Sequence, residues 1–396
     1  MANTLTQIGV VTSMNLRSIP ERRWTSLSTV VAVALVTGVL LSFLAMSNGF
    51  RTTVQGTGAN DVAIFLRKGG GGELNSVVSR EQVLLLEEAK GIAKGANGKP
   101  LVSAELYSVV DGIKKSSGTK ANLPLRGVGP NAIQVRRGIR VVAGRMFNPG
   151  APELVVGRAI SKQFRGFELG SKVRLASQNW TVVGEFEAGG SVFESEIWAD
   201  ISLIQGLYQR GSSVQTVRAR MENADQVKAL IAFSDADPRL KLDVKSEQEF
   251  YAGQSRGLGD LILYLGWPLA IAMSFGALAG ALNTMYASVD ARMREIATLR
   301  AIGFSGLPAF VGTMAESLLL SAVGGVLGAL TTYVLFDGIS TATLGSNFTQ
   351  VVFSLKLTPA LVMQGVLLSL VIGFAGGVFP AWRAARAPLL AAFRDQ

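Results

Sequence analysis

The stretch ARMREIATLRAIG, residues 291–303, carries three arginines and one glutamate and is flanked on both sides by long apolar segments. Its spacing reads as a helix, but that charge keeps it out of a hydrocarbon core. It therefore separates two membrane spans, and the other spans follow by working outward from it.

Upstream, no charged residue lies between Asp260 and Asp290, a run centred on LILYLGWPLAIAMSFGALAGAL. Downstream, Leu307 to Phe336 is interrupted only by Glu316. Another run lies between Lys356 and Arg383, centred on LVMQGVLLSLVIGFAGGVF. A last one lies between Arg23 and Arg51, where Val30 to Met46 is almost wholly apolar. Each exceeds the ~20 residues that cross a ~30 Å core. The expected fold is a membrane α-helical protein with four transmembrane helices and a large α+β extracytoplasmic domain inserted between helices 1 and 2. The expected division is an N-terminal cytoplasmic segment 1–24, spans at 25–50, 260–286, 307–336 and 359–382, and the inserted domain at 51–259. The charged connection is 287–306, the short external loop 337–358 and the cytoplasmic tail 383–396.

Orientation follows from lysine and arginine near the span ends. Arg17, Arg22 and Arg23 precede the first span; Arg292, Arg294 and Arg300 lie between the second and third; Arg383, Arg386 and Arg394 follow the fourth. The loop between spans three and four has only Lys356. Both termini and the 287–306 connection are expected in the cytoplasm, with the inserted domain in the periplasm. The first span is longer than a signal-peptide core and reads as an uncleaved anchor.

Composition agrees with a mixed protein. The chain has 396 residues, of which 48% are hydrophobic and 17% charged, and a mean hydropathy of +0.35. Without cysteine or histidine, it has no thiol nucleophile, His-based triad or Cys/His zinc site. The net charge of +10 is read as span-end topology rather than nucleic-acid binding.

Residues 51–260 carry 28 lysines and arginines against 22 acidic residues. Strand-like runs (DVAIFLR, SKVRLAS, NWTVVGEFEA, VQTVRARM, LKLDV) alternate with helix-like SREQVLLLEEAKGIAKG and ADQVKALIAF, an α+β pattern. Gly69 to Gly72 reads as a flexible loop. KSEQEFYAGQSRGLGDLI is expected to run as a helix straight into the second span, as a stalk.

The G-x-x-x-x-G-K-[ST] phosphate loop does not occur; Gly98-Lys99-Pro100 is its nearest approach and reads as a polar turn. Small residues recur four apart in every span: Gly276/Gly280, Gly324/Gly328, Gly373/Gly377 and, more weakly, Gly38/Ser42. Such pairs let helix backbones approach, within one four-helix unit or across a dimer seam. Apart from Glu316 the spans hold no ionisable residue, which argues against an ion channel or proton-coupled transporter. Glu316 is expected to serve structure or coupling, near Ser or Arg groups at the interface.

On the wheel of 290–303, Met293, Ile296, Ala297 and Leu299 share one half, with Arg292 and Arg300 interleaved. Arg292 and Glu295 are spaced to pair at i, i+3. This mixed face fits a membrane-surface helix less well than a helix gripped by another protein.

Val289-x-x-Arg292-x-x-Glu295-Ile296-x-x-Leu299-Arg300-Ala301-Ile302-Gly303 resembles the signature of MacB/FtsX-type (type VII) ABC transporter permeases. Glu316-Ser-Leu-Leu-Leu with Gly324, Gly325 and Gly328 resembles that family's third span, and Pro380-Ala-Trp-Arg-Ala-Ala-Arg-Ala-Pro388 its terminus. Gly144-Arg145-Met-Phe, ELVVGRAISKQF, Gly170-Ser-Lys-Val and Thr181-Val-Val-Gly184 resemble its periplasmic core domain.

The resemblance implies a permease that hydrolyses no ATP itself. Two permeases, expected as a homodimer, assemble with a separate ATPase dimer that binds ATP and Mg. ATPase closure would pass through the 287–306 helix to the stalk and inserted domain, a mode called mechanotransmission. It implies an ATPase-coupling set: Arg292 and Glu295 ordering the helix and meeting the ATPase, Ile296 and Leu299 filling its groove, Arg300 beside them, and Gly303 ending the helix. The Asn15-Leu16-Arg17-Ser18 segment reads as part of a short amphipathic helix. Three functions compete: efflux with a periplasmic adaptor and outer-membrane channel, lipoprotein release (to which Ser47-Asn-Gly-Phe50 bears a weak similarity), and non-transporting signal transmission to a periplasmic enzyme. The length of the inserted domain favours the first two, by analogy.

Overall fold

The computed structural model describes residues 4–344 and 349–386, and for 255–259 and Leu344 the backbone alone. Residues 387–396 of the expected tail, with Pro388 and Arg394, lie outside the described residues.

Helix α1 (Thr4–Arg17) leads through the tight turn Ile19–Arg22 into α2 (Arg23–Gln55). There follow β1 (Val62–Arg67), α3 (Arg80–Glu87), β2 (Val102–Ile113), β3 (Lys120–Val128), α4 (Ala132–Val135), β4 (Arg140–Gly144), β5 (Glu153–Gly157), α5 (Arg158–Gln163), β6 (Lys172–Leu175) and β7 (Gln178–Glu187). Next come β8 (Ile197–Asp200), α6 (Ile201–Leu207), β9 (Thr216–Arg220), α7 (Gln226–Ala236) and β10 (Leu242–Ser246). Helix α8 (Glu247–Ala291) is followed by α9 (Met293–Ala301), α10 (Gly306–Phe336), the hairpin β11 (Ser340–Leu344) and β12 (Gln350–Ser354), and α11 (Pro359–Ala385). Four helices are long and apolar enough to cross a membrane, and the α+β domain is inserted between the first and second of them.

The chain forms two compact units. One comprises Met1–Asn48, Leu261–Ile339 and Leu355–Gln396. In it α2 buries Val33, Val36, Leu40 and Leu41, a stripe at helical spacing. Glycines set the closest packing. A Cβ at Gly325 would lie 2.2 Å from Ser369 Oγ, one at Gly373 2.4 Å from Ser321 Oγ and one at Gly377 2.8 Å from Ser317 Cβ, so α10 and α11 meet at these positions. On another face of α10, Gly324 and Gly328 receive α2: added Cβ atoms would meet Val30 O at 2.8 Å and Ala34 O at 2.5 Å. Gly276 and Gly280 have no described atom within 4 Å of an added Cβ.

The other unit comprises Gly49–Asp260 and Ser340–Ser354. Its mixed sheet has the order β10-β1-β9-β2-β3-β8-β5-β7-β4, with β6 on β7. Strand β2 belongs to two halves: Val102 to Glu105 pair with β9, and Leu106 to Ile113 pair with β3. One half packs Phe65, Leu86, Val217, Leu230 and Leu242 under α3 and α7. The other packs Leu125, Leu154, Ile160, Phe164, Trp180 and Ile197 with α5 and α6. Ser79 closes a capping box on α3, and Asp200 caps α6.

Three boundaries differ from expectation. Helix α2 runs past residue 50 to Gln55. The external loop 337–358 contains the β11–β12 hairpin, in which Ser340–Leu344 pairs antiparallel with Gln350–Ser354. Its second strand carries no apolar–polar alternation: Val351, Val352 and Phe353 run together and are all buried. The hairpin packs in the inserted domain: Phe353 meets Phe50 edge-on at 5.5 Å, and Ser195 Oγ accepts from Val352 N at 2.9 Å. Finally, the 287–306 connection is not one helix; α8 runs to Ala291 and breaks at Arg292 before the nine residues of α9.

Candidate coupling site around residues 291 to 303

Helix α9 is bounded by a backbone break at Arg292 and a glycine cap at Gly303. Arg292, with φ −105° and ψ 8°, leaves the α8 geometry. At the other end Gly303 takes φ +104°, while Gly303 N donates to Arg300 O at 3.1 Å and Phe304 N to Leu299 O at 3.0 Å. These two bonds form a Schellman cap, which needs the left-handed residue that glycine supplies.

The inner face of α9 presents Ile296 and Ala297, which are buried. Ile296 and Met293 pack with Val289, Ala309 and Ala384. Glu295 is exposed; Leu299 and Arg300 are half-buried. A groove of about 300 Å³ lies between α1 and α9, lined by Val11, Met14, Glu21, Glu295, Ile296 and Leu299 among others. The wheel face is thus split: Ile296 is largely spent on internal packing, whereas Leu299 and Glu295 border open space.

Arg292 departs most from expectation. It is 8% exposed and turned inward. Its Nη2 donates to Asn15 O at 3.0 Å and also to Ser18 Oγ, and its Nη1 lies 3.4 Å from Glu316 Oε2. No Arg292–Glu295 pair forms among the described residues. The reason is Glu316, a carboxylate only 2% exposed, whose cost of burial falls when cations reach it. Arg22 Nη2 meets its other oxygen at 3.0 Å, and Ser288 Oγ donates to it at 3.3 Å. One carboxylate on α10 thereby gathers the end of α1, the turn before α2, the end of α8 and the start of α9. The sequence placed Glu316 near Ser and Arg groups; it did not single out Arg22, nearly three hundred residues away in the chain.

A second concentration of charge lies in the inserted domain. Arg126 forms a fork with Glu73 at 2.8 and 3.0 Å and also reaches Glu196 at 2.9 Å and Glu105 at 3.0 Å. Arg136 meets Glu196 at 3.0 Å and also Glu105. Arg218 meets Glu73 at 3.0 Å, Glu247 at 2.9 Å and Glu105. All seven side chains are buried. Burial alone would raise the Glu73 carboxyl, but Arg126 and Arg218 outweigh it and hold it at about 2. Burial likewise opposes ionisation of Glu105, and Arg136, Arg218 and Arg126 push it well below the usual range. Glu247 goes the other way: burial raises it and Arg218 compensates only in part. No periodic signal announced these residues, which come from separate elements and look like ordinary polar positions in the sequence.

The sequence falls into two regions of known kinds. Residues 26–232 match the MacB-like periplasmic core domain, and residues 268–389 match the FtsX-like permease C-terminal domain. The chain belongs to the MacB/FtsX family of ABC transporter permeases. Among relatives, this permease is 25% identical over 380 residues to the macrolide export ATP-binding/permease protein MacB 1 of Aeromonas hydrophila, covering 90% of this chain and 55% of that one. It is 23% identical over 400 residues to MacB of Neisseria gonorrhoeae, covering 94% and 59%. The permease thus spans little more than half the length of those relatives. It is 21% identical to the uncharacterized ABC transporter permease YknZ of Bacillus subtilis, covering 96% and 98%. Solved structures similar to parts of the permease include the extracellular domain of YknZ, at TM-score 0.34, 16% identity and 47% and 99% coverage. The periplasmic region of MacB from Actinobacillus actinomycetemcomitans gives TM-score 0.37, 15% identity and 50% and 92% coverage.

Proposed function

We propose that this permease converts ATP hydrolysis by a separate ATPase subunit into movement of its inserted domain, and so drives export from the cell envelope. ATP and Mg bind the ATPase dimer; two permease copies complete the complex in the inner membrane, with both termini cytoplasmic and the inserted domain periplasmic. Export is favoured over lipoprotein release and signal transmission by similarity to proteins named for macrolide export. In that reading a periplasmic adaptor and an outer-membrane channel complete the route.

One observation supports the coupling role above the rest. Helix α9 is clamped from inside, through Arg292, Ile296 and Ala297, while Glu295 and Leu299 border an open groove. A helix held this way passes a push to its neighbours instead of absorbing it. Glu295 and Leu299, with Arg300 beside them, meet the ATPase; Arg292 positions the helix from within. Glu295→Arg combined with Leu299→Asp is expected to abolish co-purification of the ATPase or its coupled activity, with the inserted domain still folded. A double variant that retains a fully active, coupled ATPase would refute the assignment. The open Gly276/Gly280 face of α8 is assigned to the second permease copy.

A further inference from the structure

The chain passes between its two units through α2, through α8 and through the two ends of the β11–β12 hairpin. Within the inserted domain, all three leads converge on the buried ion network. Glu247, a member of the network, is the first residue of α8. The chain leaving α2 closes on the same side chain: at Gly58, with φ +85°, an added Cβ would lie 2.8 Å from Glu247 Cγ. The hairpin reaches Tyr107, whose ring lies under Arg126 at 4.8 Å, through Thr349 at 2.8 Å.

Charge balance separates Glu247 from the other members. Glu73, Glu105 and Glu196 are matched in number by Arg126, Arg136 and Arg218, and these six link β2, β3, β9, the turn before α3 and the segments before β8 and after α4. Those six would hold the two halves of the sheet with no net charge. Glu247 adds a fourth carboxylate with no fourth guanidinium. Among the described residues its only ion pair is with Arg218, and its Oε2 has no hydrogen-bond partner. A surplus buried carboxylate costs stability. Sheet cohesion does not require it, so its use lies in what it carries, the first turn of α8. Arg218 also donates from Nη2 to Tyr251 OH, one turn further on, at 3.4 Å. A cavity of about 30 Å³, lined by Glu73, Tyr107, Arg126, Glu196, Tyr251 and Gln350 together with apolar residues, adjoins this turn and is large enough for an ordered water.

We propose that Arg218 is a positioning residue that clamps the first turn of α8 to the sheet through Glu247 and Tyr251, so that the helix and the domain move as one body. This rests on the coupling reading above. In that reading a stalk that slipped on the sheet would waste the stroke.

The chain has no cysteine, so a spin-label pair can be introduced without background. Asp111 on β2 and Gln248 on α8 are exposed, and Asp111→Cys with Gln248→Cys in the full chain reports how α8 sits on the sheet. The clamp predicts one narrow distance peak in the parent. It predicts the same peak in Glu247→Gln, which still accepts from Arg218 Nε, and loss of the single peak in Glu247→Leu at an unchanged melting temperature. Arg218→Met, which also strips Glu73 and Glu105, is expected to unfold more easily and is not the deciding variant. A peak as narrow in Glu247→Leu as in the parent overturns the proposal. So does loss of the peak in Glu247→Gln. In the complex with its ATPase, ATP and vanadate should leave the parent distance unchanged and alter that of Glu247→Leu; a nucleotide-dependent parent distance refutes the clamp. Failure of the coupling reading is registered separately, by the α9 double variant, and leaves the resting-state comparison intact.

Discussion

Glu316 is the residue on which the most chain segments depend. Removing it leaves Arg22 and Arg292 with neutral oxygen partners only, without their shared counter-charge. Breaking a buried ion cluster by deleting one partner costs on the order of 3–5 kcal/mol. Glu316→Ala is therefore expected to lower the melting temperature of the detergent-solubilised chain sharply, with Glu316→Gln milder because an acceptor remains. Arg22→Ala and Arg292→Ala should be non-additive, since they share one carboxylate. In the inserted domain the same reasoning gives a pH dependence. Glu73 is held at about 2 against an ordinary 4.5. Its contribution is full above pH 4.5 and is lost as pH falls toward 2. Glu247 has the opposite sign: its raised pKa means that acidification toward 4.5 neutralises it in the fold first and adds stability. A melting series should hold or rise slightly from neutrality down to pH 4.5 and fall below it; a monotonic loss from neutrality would contradict these assignments.

At the scale of elements, the small-residue pairs divide into two kinds. Gly324 and Gly328 are in close contact with α2, and Gly373 and Gly377 with α10. Gly328→Leu should cost about 1–3 kcal/mol by overpacking, read as a lower melting temperature of the chain by itself. Gly280→Leu should leave that temperature unchanged and act, if anywhere, on the oligomeric state seen by size-exclusion chromatography. Gly303 is a third case. Space around it is open, but its φ of +104° penalises any side chain, so Gly303→Ala should cost about 1–2 kcal/mol through the cap alone. The spans were readable because hydrophobic length is a one-dimensional signal. The C-terminal end of α9 is readable because the glycine cap at Gly303 is local; its start is not, since the break at Arg292 has no local signature. The Arg292–Glu295 pairing expected from i, i+3 spacing gives way to Arg292–Glu316, because Glu316 lies across a helix packing that periodicity does not encode. Both were visible as charged residues; which of them faced the other was not.

For the molecule as a whole, the number of spans and the position of the inserted α+β domain between the first and second were legible. The partition of that domain was not. The strand-like runs coincide with β1, β6, β7, β9 and β10, whereas in β2 and β3 the charged Asp111, Lys120 and Arg126 break up the apolar residues and mask the strands. The hairpin is not legible in the sequence, because nothing in twenty residues reveals that its partner surface lies in a domain completed far earlier in the chain. Tyr107→Phe, which removes the bond to Thr349, should speed proteolysis within the hairpin without lowering the melting temperature appreciably.

The double membership of β2 has a consequence for biosynthesis. Val102 cannot find its partner Ala219, nor Ala63 its partners Ala219 and Ser246, until those residues have been made. The half containing β3 to β8 is contiguous in the chain and nested between β2 and β9. The portion synthesised first is thus completed last, around a half that can already have closed. In the interval the edges of β1 and β2 stand unpaired, with Phe65 and its neighbours uncovered. Non-local pairing of this kind is slow, and bare strand edges invite misassembly. The vulnerable moment in the life of this protein is the interval between the arrival of β2 and that of β10, when β1 gains its last partner.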